Sequence, residues 1–442
     1  MKNYFPLALC TIAFVILCMY ACRPNPLNQM ELTPYDQDGV LKKERFESFY
    51  SLEKPDGVGL YIETSGSMNG LFRPNQSTKF QYDLSAVLTS TELKNVITGV
   101  NIFNNSGDGV QKFGSVEFRE KMNKGDFISQ RSTYIPRMIE TMLSDVDSCA
   151  CDVAVLISDM KFSPVESNGT VTKVAIDQYK LEIKKLFEER FKDNDMSVSL
   201  ICCESNFLDK KGSELCAEFP YYFVVVGKSS RVAWVRNQMM EVLSEQNNLM
   251  GCIDFNVNYG CPNYTVLINE TIGATQNYNE PKSYLSGLHS SSIVDFNDSY
   301  QPVRVVVGVN YRHLPLTLTK SLRPNDFKVS SFWGGNLNAK IVAIDNKNHQ
   351  TCSQHEYVSP NVYLTIELAG LNMYEDDVVE IVLDSESQNI DWLNKYYGAT
   401  REGELDKTFL LEGFIEGLNL AKPIYNVQNS SMSVFVSKDS NN

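Results

Sequence analysis

Apolar and polar positions change rhythm along this chain. From Val58 to about Gln246, short apolar runs alternate with longer stretches in which apolar residues recur every three or four positions. The runs predict strands over 58–64, 96–103, 111–118, 152–159, 197–203 and 221–227. The longer stretches predict helices near 80–93, 133–144, 174–191 and 230–245. Such alternation implies an α/β unit over residues 56–247, with a doubly wound, mostly parallel sheet covered on both faces. From about Gly251 the long helical patterns stop. Short β-rich runs (264–268, 303–309, 339–344, 363–368, 378–383) follow, separated by Gly, Asn, Ser and Pro. They predict a smaller β-sandwich region of immunoglobulin-like kind over 251–388. Two apolar-periodic stretches, 392–397 and 409–420, predict helices packing back on the body within a C-terminal segment 389–442.

Chemistry gathers where the strand from Val58 ends. Gly59-Leu60-Tyr61-Ile62 runs into Glu63-Thr64-Ser65-Gly66-Ser67-Met68. Period two followed by a tight Gly turn aims Glu63, Ser65 and Ser67 toward one point. One carboxylate and two neutral oxygens form a weak acid–base system but a partial cage for a hard divalent cation. A nearly all-apolar strand from Asp152 ends in Asp159, and Thr133 stands near the N-cap of the helix that follows it. Ligands of open α/β sheets collect at the carboxyl ends of strands, so these oxygens fit one site. A Ser-Gly-Ser turn and an Asp helix cap are the alternative for the same residues.

The ordered set Glu63-x-Ser65-x-Ser67, Thr133, Asp159 resembles the metal-ion-dependent adhesion site of von Willebrand factor type A (vWA) domains. Their pattern is Asp-x-Ser-x-Ser, then Thr, then Asp; Glu63 stands where that family has Asp. The resemblance implies a vWA/Rossmann-like fold over 56–247 and a Mg2+ held directly by Ser65 and Ser67. Thr133 and Asp159 would hold it directly or through water, and Mn2+ or Ca2+ could substitute. It further implies an open coordination position that a partner protein's carboxylate would fill.

The N-terminus predicts a targeting segment. Lys2 precedes an apolar stretch from Phe5 to Met19, too short for a comfortable membrane span. Met19-Tyr20-Ala21-Cys22 resembles a bacterial lipobox. Residues 1–21 then read as a lipoprotein signal peptide, Cys22 as the lipidated residue and 22–55 as a polar tether. The expectation is a lipid-anchored protein of the bacterial cell envelope, at the outer membrane or cell surface. A formal charge of −14 argues against nucleic acid as a partner. Of eleven cysteines, eight lie beyond Cys22. The pairs Cys149/Cys151 and Cys202/Cys203 could meet if their strands share a sheet, as thiols or disulfides. The absence of a Cys-x-x-Cys pair disfavours zinc.

Catalysis finds little support. All four histidines fall in the β-rich half, so a serine nucleophile in the α/β half lacks an imidazole. Val226-Gly227-Lys228-Ser229 lacks the earlier Gly of a P-loop, because Tyr222 occupies that place. Glu63 with Asp159 could serve as a carboxylate pair, but the neighbouring hydroxyls point to cation ligation. The expected function is therefore non-enzymatic: cation-dependent binding of a partner protein. A metal-free envelope scaffold is the alternative, and a metal-assisted hydrolase the third.

Overall fold

The computed structural model describes residues 52–74, 76–104, 109–124, 134–162, 173–193 and 196–257. Farther on it describes 263–267, 274–275, 293–296, 302–311, 314–315, 319–320, 322–331, 338–345, 360–369, 377–383, 391–398, 404–421 and 431–438.

The first half forms a seven-stranded sheet in the order β3-β2-β1-β4-β6-β5-β7. Its strands are β1 (Val58–Ile62), β2 (Ile97–Asn104), β3 (Gly109–Phe113), β4 (Val153–Ser158), β5 (Met196–Leu208), β6 (Glu214–Lys228) and β7 (Leu249–Phe255). The sheet is mixed. β1 pairs in parallel with β2 and β4, whereas β3, β6 and β7 run against their neighbours. β5 therefore runs in the direction of β4, and four of the seven strands share a direction. The reversal comes from a hairpin. Asp209 Oδ1 accepts from the N–H groups of Lys211 (2.7 Å) and Ser213 (2.8 Å), and Gly212 sits at φ +85°. That turn joins β5 to β6, and a tight turn can only pair strands antiparallel.

Alternation along each strand feeds two separate cores. In β4, Val153, Val155 and Ile157 face one, and Ala154 and Leu156 face the other. The first core is covered by α1 (Lys79–Thr89), α2 (Ser115–Lys124) and, later in the chain, α5 (Ser229–Glu245). The second is covered by α3 (Ile135–Asp147), α4 (Lys173–Asp193) and α6 (Leu411–Ala421). Helices thus cover both faces, as expected of an α/β unit. α1 begins at a capping box: the Thr78 hydroxyl accepts from Gln81 N–H (3.2 Å) and the Gln81 side chain from Thr78 N–H (3.0 Å).

The strand expected over 111–118 breaks in two. β3 ends at Phe113, and α2 begins after Gly114 with Phe118 and Met122, one turn apart, buried beneath it. Trp392 and its neighbours form a short 3-10 turn, Asp391–Lys395, where a helix over 392–397 was expected.

Beyond β7 the chain builds two further sheets. One, in the order β13-β14-β11-β8, holds β8 (Asn263–Val266), β11 (Val303–Asn310), β13 (Asn338–Asp345) and β14 (Val362–Ala369). The other, in the order β12-β15-β16-β10-β9, holds β9 (Ala274–Thr275), β10 (Ile293–Phe296), β12 (Phe327–Ser331), β15 (Asp377–Leu383) and β16 (Ser431–Lys438). Val305, Leu364, Ile381 and Val434, drawn from both, belong to one continuous core. Among the described residues no helix is long and apolar enough to cross a membrane. Cys22 and the signal and tether segments expected over 1–21 and 22–55 lie outside the described residues, apart from 52–55.

Candidate functional site at the β1–β4 edge

β1 and β4 are parallel neighbours in register from Val58↔Val153 to Ile62↔Ile157. Their carboxyl ends therefore finish side by side. Glu63 N–H donates to Ile157 O (3.0 Å), which continues the ladder one residue past β1 and sets Glu63 beside Ser158. The Ser158 hydroxyl donates to Glu63 Oε2, and Met160 N–H donates to Ser158 Oγ (2.8 Å). Asp159 follows directly, its Oδ1 accepting from Lys161 N–H (3.1 Å). Met160 takes a left-handed φ of +57°, which turns the chain sharply away after the acid.

On the β1 side the turn is a 3-10 helix, Gly66–Met68, closed by Met68 N–H donating to Ser65 O (3.0 Å). It brings the Ser65 and Ser67 hydroxyls to 2.8 Å from each other. Glu63 and Asp159 have no exposed surface, Ser65 is 4% exposed, and Ser67 alone is half-buried. The structure thus places Glu63, Ser65, Ser67 and Asp159 at one edge of two adjacent strands. It joins Glu63 to Ser158 and Ser65 to Ser67. Thr133, the remaining expected ligand, lies outside the described residues.

The far side of this rim is built by distant chain. Lys161, 3% exposed, donates from Nζ to Glu404 O (3.0 Å), and its ammonium stands 4.7 Å from the Phe219 ring centre. Phe162 N–H donates to Phe409 O (3.3 Å). The hydroxyls of Tyr222 and Thr408 lie 2.9 Å apart, and Tyr222 is the β6 partner of Ser158. Residues 404–409 are thereby fastened along the carboxyl end of β4. Ser158 and Lys161 were missed by the sequence reading. Ser158 carried a signal, since it precedes the strand-end acid, but its bond to Glu63 depends on strand register.

Two buried carboxyl groups and paired hydroxyls offer oxygen donors only. That set suits Mg2+, which prefers oxygen ligands and keeps several waters, far better than zinc or a soft metal. Among the described residues, no three His, Cys, Asp or Glu side chains gather, so hydroxyls would have to complete any cation's shell. The set suits nucleophilic catalysis poorly, because the Ser65 hydroxyl meets another hydroxyl and not a base.

The cysteines do not meet as expected. Six of them are free thiols among the described residues. β6 lies between β4 and β5, and Cys202 and Cys203 point into opposite cores, so neither reaches Cys149 or Cys151. Burial pushes the Cys151 thiol up to about 11, with Asp145 adding to the rise. No protein family, curated protein or solved structure matches this chain.

Proposed function

We propose that this chain binds a partner protein through a divalent cation seated at the β1–β4 edge, in the manner of a vWA-like domain. The observation that carries the reading is the burial of Glu63 and Asp159 at the adjoining carboxyl ends of two parallel strands. Both have no exposed surface, the Ser158 hydroxyl donates to Glu63, and the Ser65–Ser67 hydroxyl pair follows on the β1 side. A hard divalent cation takes carboxylate and hydroxyl oxygens as ligands, which is the donor set these strand ends carry. Ser65, Ser67, Glu63 and Asp159 would hold the cation, with Thr133 as a fifth donor. A bound Mg2+ supplies positive charge and a position for an incoming carboxylate oxygen. Of the four, Ser67 on the Gly66–Met68 turn is the most exposed and would stand nearest that position. The chain would do this at the bacterial envelope, held by lipid on Cys22, without catalysing a reaction.

A metal-free scaffold is the second reading, favoured by the Ser158–Glu63 bond, which already satisfies one oxygen of the acid. Capture from envelope extracts separates the two. The cation reading expects a partner retained in Mg2+, released by EDTA, and not retained by Ser65→Ala with Asp159→Ala. Retention unaffected by chelator and by both substitutions would leave the scaffold.

A further inference from the structure

A second concavity, lined by none of the β1–β4 edge residues, lies between α5 and the β11–β14 end of the four-stranded sheet. It has a volume of about 410 Å3, in the range of small-molecule sites. Its floor is apolar: Met240, Tyr311 and Leu314 are 1%, 0% and 2% exposed. Its rim is polar. Gln238 and Glu241 reach it from adjacent turns of α5, and Asn361 from the residue before β14.

The rim is held in place but not used up. Asn361 Oδ1 accepts from Tyr311 N–H (2.7 Å), and Asn361 N–H donates to Val309 O (3.0 Å). That fixes the side chain and leaves its Nδ2 with no protein acceptor among the described residues. Among those residues the Gln238 amide and the Glu241 carboxylate also make no hydrogen bond or ion pair to the protein. Two amides and one carboxylate therefore rim an apolar floor: Gln238 and Asn361 are half-buried and Glu241 is exposed, so each can meet a ligand.

The complement of this surface has three parts. An apolar face would rest on Met240, Tyr311 and Leu314. Hydroxyl groups, each both donor and acceptor, would meet the Gln238 and Asn361 amides. One positive centre would meet Glu241 in a charge-assisted hydrogen bond. A sugar ring offers a C–H face and several hydroxyls, and an amino sugar adds the ammonium. We propose that this pocket is a binding site for a small polyhydroxylated amine of the amino-sugar class, with Glu241 selecting the ammonium. The site is separate from the cation edge and stands or falls independently of it.

The test is titration of the full chain, carrying methyl-labelled methionine, with glucosamine, glucose and ethanolamine. The Met240 methyl resonance and titration calorimetry are followed together. Glucosamine should saturate the Met240 shift and bind more tightly than either control. Glu241→Gln, a change on the exposed surface of α5, should weaken glucosamine about tenfold or more and bring it level with glucose. Gln238→Ala should weaken glucosamine and glucose alike. Equal binding of glucosamine and glucose by the unmodified protein would overturn the assignment. So would a glucosamine affinity indifferent to Glu241→Gln, or a Met240 resonance that none of the three compounds moves.

Discussion

Asp83 has no exposed surface, and burial holds its carboxyl above the usual carboxylate range. The Tyr221 hydroxyl and the Asn248 amide, bonded at 3.1 Å to both oxygens, oppose that rise without cancelling it. A carboxyl whose folded value is raised favours folding while protonated, so its contribution is complete below the unfolded value. That contribution is lost as pH climbs through the folded value. Asp83→Asn removes this loss. Its melting temperature relative to the parent protein should therefore rise as pH climbs above the ordinary carboxylate range; a constant difference would contradict the assignment. Ser158 gives a second residue-scale test. Ser158→Ala deletes the hydroxyl donor to a fully buried acid and should cost about 1.5–3 kcal/mol in urea unfolding. A third concerns thiols. Of the six described cysteines only Cys149 is exposed, so mapped alkylation of the native protein should mark Cys149 well before Cys151, Cys202, Cys203 or Cys252. Glu63 and Asp159 were legible in the sequence because each interrupts an apolar run where a strand must end. The Glu63–Ser158 bond was not, because it depends on which strands become neighbours.

At the scale of elements, the contact between α6 and α4 rests on two glycines one turn apart. A Cβ at Gly417 would lie 2.7 Å from Ile183 Cβ and 2.9 Å from Lys180 O, and one at Gly413 would lie 2.9 Å from the Tyr179 ring. The backbone oxygen cannot yield cheaply, so Gly417→Ala should destabilise the protein by about 1–3 kcal/mol through overpacking. Chemical denaturation would read that loss. The hairpin explains the main gap between expectation and structure. β5 continues past Cys203 through Glu204, Ser205 and Asn206, and β6 opens on the exposed residues Glu214 and Leu215. These polar stretches hide the pairing from any apolar pattern, although Asp209-Lys210-Lys211-Gly212-Ser213 carries the chemistry of a turn. α2 escaped notice because only Phe118 and Met122 of its ten residues are buried. β4 was plain because all six of its residues are buried on both faces.

At the scale of the whole molecule, the C-terminal segment is part of the α/β unit's architecture. Lys395 Nζ and the Tyr396 hydroxyl reach Glu204 Oε1 at 2.5 and 2.7 Å, and residues 404–409 border the candidate cation edge. A chain with a formal charge of −14 gathers cations over its whole surface, so a specific site must be separated from that diffuse attraction. Paramagnetic resonance of a Mn2+ titration at physiological ionic strength makes the separation, because free and bound Mn2+ give distinct signals. The account predicts one saturable site, displaced by Mg2+ and absent in Ser65→Ala with Asp159→Asn. Its occupancy at a hundredfold excess over the dissociation constant should stabilise the fold by about 2.7 kcal/mol. Mn2+ that remains free in the presence of the folded protein, or that binds equally well to the double variant, would contradict it.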